Sequence, residues 1–365
     1  MLKDRAYFMR LAMRLALKGK GNTSPNPMVG ALVVKKGKII ARGYHEKAGL
    51  PHAEIIALDK AQEKARGAVL YVTLEPCAHF GKTPPCVDRI IKSGIREVVI
   101  GMADPNPLNN GKGINILRQH KIKVNAGYLE GELKRMNEPF IKYITKRMPF
   151  VTVKIAQSLD GKIATARGDS KWITSDKSRS FAHRLRKDYD AVMVGVNTVL
   201  RDNPRLNTWF SRKQPAKIIV DSQLSTPQAA NVFSSGSKVI ILTLPSSSGQ
   251  ETDNRRILNE KARILEAREK AGQVNLRDAF KKLARLEITN ILVEGGGTLI
   301  GSLFDEGLVD RVLFFISPRI IGGRNALSSV MGKGINRVEK ALKLKEVKIK
   351  RLGEDFLIEG YIKTV

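Results

Sequence analysis

Cysteine is nearly absent from this chain, with 2 in 365 residues. So small a supply excludes a disulfide-stapled scaffold and leaves metal binding or thiol chemistry as the use for those two. Long apolar runs are missing as well. None approaches the roughly 20 residues that a membrane-spanning helix requires. The opening stretch "MLKDRAYFMRLAMRLALKGKG" carries an apolar stripe of Phe8, Leu11 and Leu15, broken by Arg10 and Arg14. This pattern predicts an amphipathic helix, because a secretory signal needs an unbroken apolar core. The expected home is a reducing cytoplasm, with no membrane partner. The chain also lacks short-period repeats and any low-complexity tract longer than "PSSSGQ" at 245–250.

Carboxylates are scarce relative to cations: 35 Asp+Glu face 64 Lys+Arg, a net charge of +29. Residues 1–150 hold 27 Lys+Arg and 12 Asp+Glu, a net of +15 that leaves +14 for the rest. An excess spread over both halves, without a basic tail or an arginine-rich block, argues against a simple nucleic-acid-binding protein. Attraction for small phosphorylated ligands uses such a field equally well. A lysine-rich compositional bias is the plain alternative.

What is present is an ordinary globular composition, 42% hydrophobic and 27% charged. At 365 residues, two domains are the default expectation. In the first half, strand and helix patterns alternate: strands at 31–44 around a Lys-Gly turn, a helix at 52–65 with Ile55, Ile56 and Leu58 inward, a buried strand at 68–74, and a short helix at 86–94. The alternation continues through 132–146, pauses at "KRMPF" (146–150) and restarts with "FVTVKIAQS". The predicted domains are therefore 1–147 and 148–365, each an α/β unit with a parallel or mixed sheet.

The chemistry-bearing residues cluster. His52 opens the helix at 52–65, Cys77 follows a buried strand, and Cys86 follows Pro84-Pro85 at a helix start. One imidazole and two thiolates suit zinc, and a three-ligand site keeps a position open for water. Glu54, two residues from His52, can exchange protons with that water and a leaving amine. The alternative is a closed structural site with His79 or His45 as fourth ligand.

His-Ala-Glu followed by Pro-Cys and a second cysteine resembles the zinc-dependent cytidine-deaminase superfamily. Eight residues separate Cys77 from Cys86, instead of the usual two. That insert, "AHFGKTPP", together with "TSPNPMVGALVV" (23–34) and "GYHEKAG" (43–49), is similar to the deaminase half of the bifunctional riboflavin-biosynthesis enzymes. The resemblance implies an α/β/α deaminase domain acting on a diaminohydroxy-phosphoribosylaminopyrimidine, with substrate contacts at Asn26, His45, His79, Lys82, Asp104 and Asn106. Read alone, Asn26 and Asn106 sit between prolines and also suit turns.

In the second half, "KIAQSLDGKIA", "SKWITS", "VGVNTVLRDNPRL" and "VEGGGTL" resemble the reductase half of the same family. This implies a dihydrofolate-reductase-like α/β fold that uses NADPH to reduce a ribosyl chain to its ribityl form. The implied cofactor and substrate contacts are Ala156, Ser170, Trp172, Thr198, Asp202, Leu206 and Glu294, with Lys154, Thr174, Arg186, Gly295 and Gly296 alongside. Read without the resemblance, Trp172 and Leu206 suit packing, Asp202 a loop cap, and the glycine run a tight turn. One departure stands out: Trp209 replaces an arginine usual in the family, and Arg205 and Arg212 are the nearest cations to compensate. The expected partners are small phosphorylated pyrimidines and a second copy of the chain in a dimer or tetramer, with no nucleic acid. A nucleic-acid deaminase and an RNA-binding protein with a structural zinc are the competing readings.

Overall fold

The computed structural model of the chain describes residues 4–80, 84–234, 236–246 and 253–362. They form two compact units, one running to Arg147 and the other starting at Met148.

The first unit runs α1 (Arg5–Ala16), β1 (Gly30–Lys35), β2 (Lys38–Tyr44), α2 (Ala53–Ala61), β3 (Val69–Leu74), α3 (Cys86–Lys92), β4 (Glu97–Met102), α4 (Lys112–Gln119), β5 (Lys123–Asn125), α5 (Glu130–Met136) and α6 (Glu138–Lys146). Its sheet has the order β2-β1-β3-β4-β5. β1 pairs antiparallel with both neighbours, while β3, β4 and β5 are parallel. Lys36 and Gly37 turn the first hairpin with φ of 47° and 74°. Positive φ at both positions matches the right-handed twist of paired strands. β3 and β4 are apolar and almost wholly buried, as central strands covered on two faces must be.

Helices approach this sheet closely at glycines. A Cβ on Gly30 would lie 2.1 Å from Ala12 O, and one on Gly43 would lie 2.2 Å from Ala53 O. The inward face of α2 is accordingly Ala53, Ala57, Leu58 and Ala61, while Ile55 and Ile56 are only half-buried. This corrects the expectation that both isoleucines point inward: the backbone of α2 at Ala53 and Ala57 sits directly against Gly43, and the two isoleucines stay at the edge of that contact. The stretch at 132–146 also breaks in two at Asn137. Its amide accepts from Met28 N at 2.8 Å and donates to Met28 O, tethering the chain beside Asn26.

The second unit runs β6 (Phe150–Ser158), β7 (Lys162–Ala164), α7 (Asp176–Leu185), β8 (Ala191–Gly195), α8 (Val196–Asp202), β9 (Ala216–Val220), β10 (Val239–Thr243), α9 (Asp253–Lys261), β11 (Arg263–Glu266), β12 (Glu269–Lys270), β13 (Gln273–Val274), α10 (Leu276–Arg285), β14 (Asn290–Val293), α11 (Gly297–Asp305), β15 (Arg311–Ser317), β16 (Leu327–Ser328), β17 (Lys345–Leu352) and β18 (Asp355–Tyr361). Nine strands make one sheet in the order β11-β10-β9-β8-β14-β6-β15-β18-β17. The first seven in that order are parallel; β18 and β17 close it antiparallel. Side chains of α10 and α11 pack with Val151, Val153, Met193 and Ile291 on one face. On the other, α8 and α9 cover Val192, Val194 and Ile219, and α7 packs against Phe315. The helix α10 carries Leu276, Ala279, Phe280, Leu283 and Ala284 at helical spacing, behind an Asn275 side chain that accepts from Asp278 N.

No helix among the described residues is long and apolar enough to cross a membrane. The close approach at Gly30 supplies a stability test. Gly30→Ala would press a methyl onto backbone atoms of α1 that cannot step aside. The expected cost is about 1–3 kcal/mol, read by urea unfolding followed by circular dichroism.

Candidate active sites

Three elements bring the soft donors of the first unit together. His52 is the residue that caps the start of α2, Cys86 is the first residue of α3, and Cys77 sits just past the end of β3. His52 Nδ1 is 3.2 Å from Cys86 Sγ and 3.6 Å from Cys77 Sγ. All three donor atoms lie within 4.8 Å of one another. Tetrahedral zinc, with bonds of about 2.0–2.3 Å, needs ligand separations of about 3.5–3.8 Å, so this donor set fits that ion. Cys86 N also donates to Cys77 Sγ at 3.3 Å. A hydrogen bond shared with Cys86, with help from His52, holds the Cys77 thiol well below its ordinary value, and the same sharing drives Cys86 up. A thiolate is thus already favoured at one of the two ligands.

Glu54 lies in the first turn of α2 and is 4% exposed. Burial pushes its carboxyl up to about 7, against the opposing pull of His52. A carboxyl at that point can hold or release a proton near neutrality, as a general acid–base must. A nearby dication would draw the value down, favouring the carboxylate.

Neither competing histidine joins the three donors. Pro51 O can only accept, so His45 Nδ1 carries the proton at 3.2 Å from it, and His45 Nε2 accepts from Asn26 Nδ2 at 3.1 Å. Both ring nitrogens are therefore committed, and burial lowers the pKa of His45. Its ring stands edge-on to His52, with centroids 5.5 Å apart. His79 keeps a buried Nδ1 without a partner among the described residues. Asp104 is buried, and its two oxygens accept from Asn106 N and Asn109 Nδ2. The Asn106 side chain accepts from Leu108 N, so in this structure it also builds the turn that the flanking prolines suggest. Lys82 lies outside the described residues.

In the second unit, a cavity of about 260 Å³ opens at the carboxyl ends of β6, β8 and β14, the usual ligand position in an open parallel sheet. Lys154, Ala156, Ser170, Trp172, Thr174, Thr198, Asp202, Glu294, Gly295 and Gly296 all line it. Arg186 does not. It sits behind the wall, donating to both oxygens of Glu294 at 2.6 and 2.9 Å and to Asn207 O at 2.8 Å. Burial alone would raise the Glu294 carboxyl, yet Arg186 holds it below the usual range. Lys154 Nζ stands 4.0 Å from Glu294, its pKa lowered by burial.

Leu206 is also away from the cavity. It is 3% exposed and packs with Val192, Val194 and Ile219, which is the packing role that its residue type alone suggests. Trp209 is 72% exposed and stacks flat on His183 at 4.3 Å. Neither Arg205 nor Arg212 lines the cavity. Arg179 does, with its guanidinium 4.3 Å above the Trp172 ring. The motifs pass over it, although Arg179, Ala182 and His183 of α7 and Arg186 just past its end recur at helical spacing. The glycine run is explained mainly by packing: a Cβ on Gly295 would lie 2.9 Å from Thr198 Oγ1, and one on Gly297 2.5 Å from Ser328 O. Gly296 instead needs its φ of 77°. Cations at Lys154 and Arg179, an exposed indole and a glycine-lined helix start suit a ligand with phosphates and rings.

The RibD C-terminal domain family matches residues 149–358, and the cytidine and deoxycytidylate deaminase zinc-binding region matches residues 2–102. A riboflavin biosynthesis protein RibD from Aquifex aeolicus is 48% identical over 359 residues, covering 96% of both chains. The solved structure of a Thermotoga maritima diaminohydroxyphosphoribosylaminopyrimidine deaminase/5-amino-6-(5-phosphoribosylamino)uracil reductase is 41% identical, with a TM-score of 0.85 and 98% of each chain covered. Acinetobacter baumannii RibD is 33% identical, with a TM-score of 0.88 over 99% of each chain.

The Arg186–Glu294 pair yields a prediction with a definite sign in pH. Glu294 titrates below its unfolded value, so the pair stabilises above the carboxylate range and that contribution fades as pH falls through it. In Arg186→Met, burial without the bidentate partner reverses the shift. We expect a loss of about 3–5 kcal/mol at pH 7 and partial recovery on acidification to pH 5. Urea unfolding of both proteins at the two pH values checks this.

Proposed function

The chain belongs to the RibD family of riboflavin-biosynthesis proteins, and on that footing we propose how its residues divide the work of a deaminase and a reductase. It is a bifunctional enzyme that uses zinc and NADPH. It deaminates diaminohydroxyphosphoribosylaminopyrimidine and then reduces the ribosyl chain of 5-amino-6-(5-phosphoribosylamino)uracil. We assign the first reaction to residues 1–147 and the second to 148–365.

The observation that carries the deaminase assignment is the convergence of His52, Cys77 and Cys86 on one point beside buried Glu54. Zinc held by those three donors supplies a Lewis acid that makes water nucleophilic at neutral pH. Glu54 takes the proton that the attacking water gives up and delivers it to the departing amine. Asn26, His45, His79, Lys82, Asp104 and Asn106 form the substrate side, with His45 kept neutral by burial and oriented by Asn26.

In the reductase, bound NADPH supplies the hydride, and the protein supplies position and a dry cleft. Lys154 and Arg179 carry positive charge into the cavity, and Trp172 offers a ring face. Arg186 orients Glu294, and through it Lys154. A reducing cytoplasm suits two free thiols that must bind metal. A homo-oligomer is supported by an apolar row across β15, β18 and β17 that is half-buried at Phe314 and Ile358 and uncovered toward β17. There Phe314, Ile358 and Ile349 stand in register, with Ile349 69% and the neighbouring Phe356 43% exposed. A second copy of the chain is the occupant we assign to that face.

Two measurements test these assignments. Given the diaminopyrimidine ribosyl phosphate, the purified protein should release ammonia and then oxidise NADPH. Glu54→Ala should keep its zinc and its reductase turnover while ammonia release falls by at least ~100-fold; undiminished release would remove Glu54 from the mechanism. For the oligomer, Ile349→Glu with Phe356→Glu should lower the mass found by sedimentation to that of one chain. An unchanged mass would move the interface elsewhere.

A further inference from the structure

The three metal-site donors are not supported alike. His52 and Cys86 are fixed by the first turns of α2 and α3, whereas Cys77 lies on irregular chain three residues beyond the end of β3. Something other than regular structure must fix it. Glu75 N still donates to Met102 O, the last ladder bond that β4 offers. Beyond that point the partner is a side chain. Asn109 is fully buried; its Oδ1 accepts from Ala78 N at 2.8 Å and its Nδ2 donates to Pro76 O at 3.3 Å. A residue of a parallel strand bonds its neighbour in the same way, taking the N–H after a residue and giving to the C=O before it. Here one amide does both, and the bracketed residue is Cys77.

We propose that Asn109 is the positioning residue for the metal-ligating thiolate of Cys77, extending the β3–β4 ladder by one rung beyond the end of β4. Among side chains, only a carboxamide presents a donor pair and an acceptor in one plane at this spacing. The amide is itself held in orientation, since its Nδ2 also donates to Asp104 Oδ2 at 3.1 Å. Glu75 locks the same loop from below, accepting from Asp104 N, Gly111 N and Ile114 N. Nothing can slide in between: a Cβ on Gly113 would meet Pro76 O at 2.1 Å. Asn109 thus brackets Cys77 on one side, in addition to the bonds from Val87 N to Cys77 O and from Cys86 N to Cys77 Sγ, each 3.3 Å.

The proposal rests on the reading of His52, Cys77 and Cys86 as zinc ligands, and the test separates the two. Zinc affinity of the full-length protein would be measured by competition with a chromophoric chelator, and the thiolate-to-metal band recorded after cobalt substitution. Asn109→Leu should weaken zinc by about 10–100-fold, the usual cost of losing such a partner, and shift the cobalt band. Asn110→Leu, at the exposed neighbouring position, should do neither. If Asn109→Leu does not fold, Asn109→Ser, whose hydroxyl cannot reach both backbone groups, is read in the same way. Lower stability of the metal-free protein with unchanged affinity and spectrum would reduce Asn109 to a structural residue and overturn the proposal. A native protein whose zinc affinity and cobalt band survive Cys77→Ser would instead sink the ligand assignment itself.

Discussion

Both units of this enzyme bury a carboxylate, and each site is organised around how that carboxylate is compensated. A charge taken out of water costs several kcal/mol unless a partner restores what hydration supplied. Glu294 has Arg186 in bidentate contact and stays ionised, a fixed negative charge that holds Lys154 nearby. Glu54 has no such partner, and burial leaves its carboxyl poised to gain or lose a proton. The same residue type thereby becomes a structural anion in the reductase and, in the function we propose, a proton carrier in the deaminase. Desolvation, unequally compensated, sets the difference.

The deaminase site combines three kinds of support. The start of α3 presents the Cys86 N–H to Cys77 Sγ, and that bond favours the thiolate of Cys77. His52 precedes α2 in extended conformation, which frees its ring to point across at both sulfurs. His45 and Asn26 pack beside it through a chain of hydrogen bonds that ends on Pro51 O. The reductase site uses a different device, the carboxyl ends of adjacent parallel strands, where β6, β8 and β14 deliver Lys154, the start of α8 and Glu294 to one cleft.

Much of this was legible in the amino-acid order. The spacing of His52, Glu54, Cys77 and Cys86 between a buried strand and two helices was enough to draw the metal-site donors, because each sits at an element boundary that local patterns reveal. Ten of the reductase positions fall into one cavity as well, but these were implied by the family resemblance and not by local pattern, and Lys154 and Ala156 lie within β6. Other features depend on distance between chain segments and leave no local mark. The inward face of α2 could not be read from its hydrophobicity, since Gly43 on another strand decides which residues fit. Leu206 matched a motif yet packs into the core, and Arg186, expected as a contact, stands behind the cleft wall. Asn109 and Glu75 bond to backbone atoms roughly thirty residues away, a relation that composition and periodicity do not carry.

Tryptophan is confined to the second unit, at positions 172 and 209. Trp172 lines the reductase cavity beneath a guanidinium, and Trp209 lies on the surface against His183. The deaminase unit is therefore dark in tryptophan emission, and tryptophan fluorescence excited above the tyrosine band is a private optical channel of the reductase half. A change in that emission reports on the reductase half alone, since both of its sources lie there.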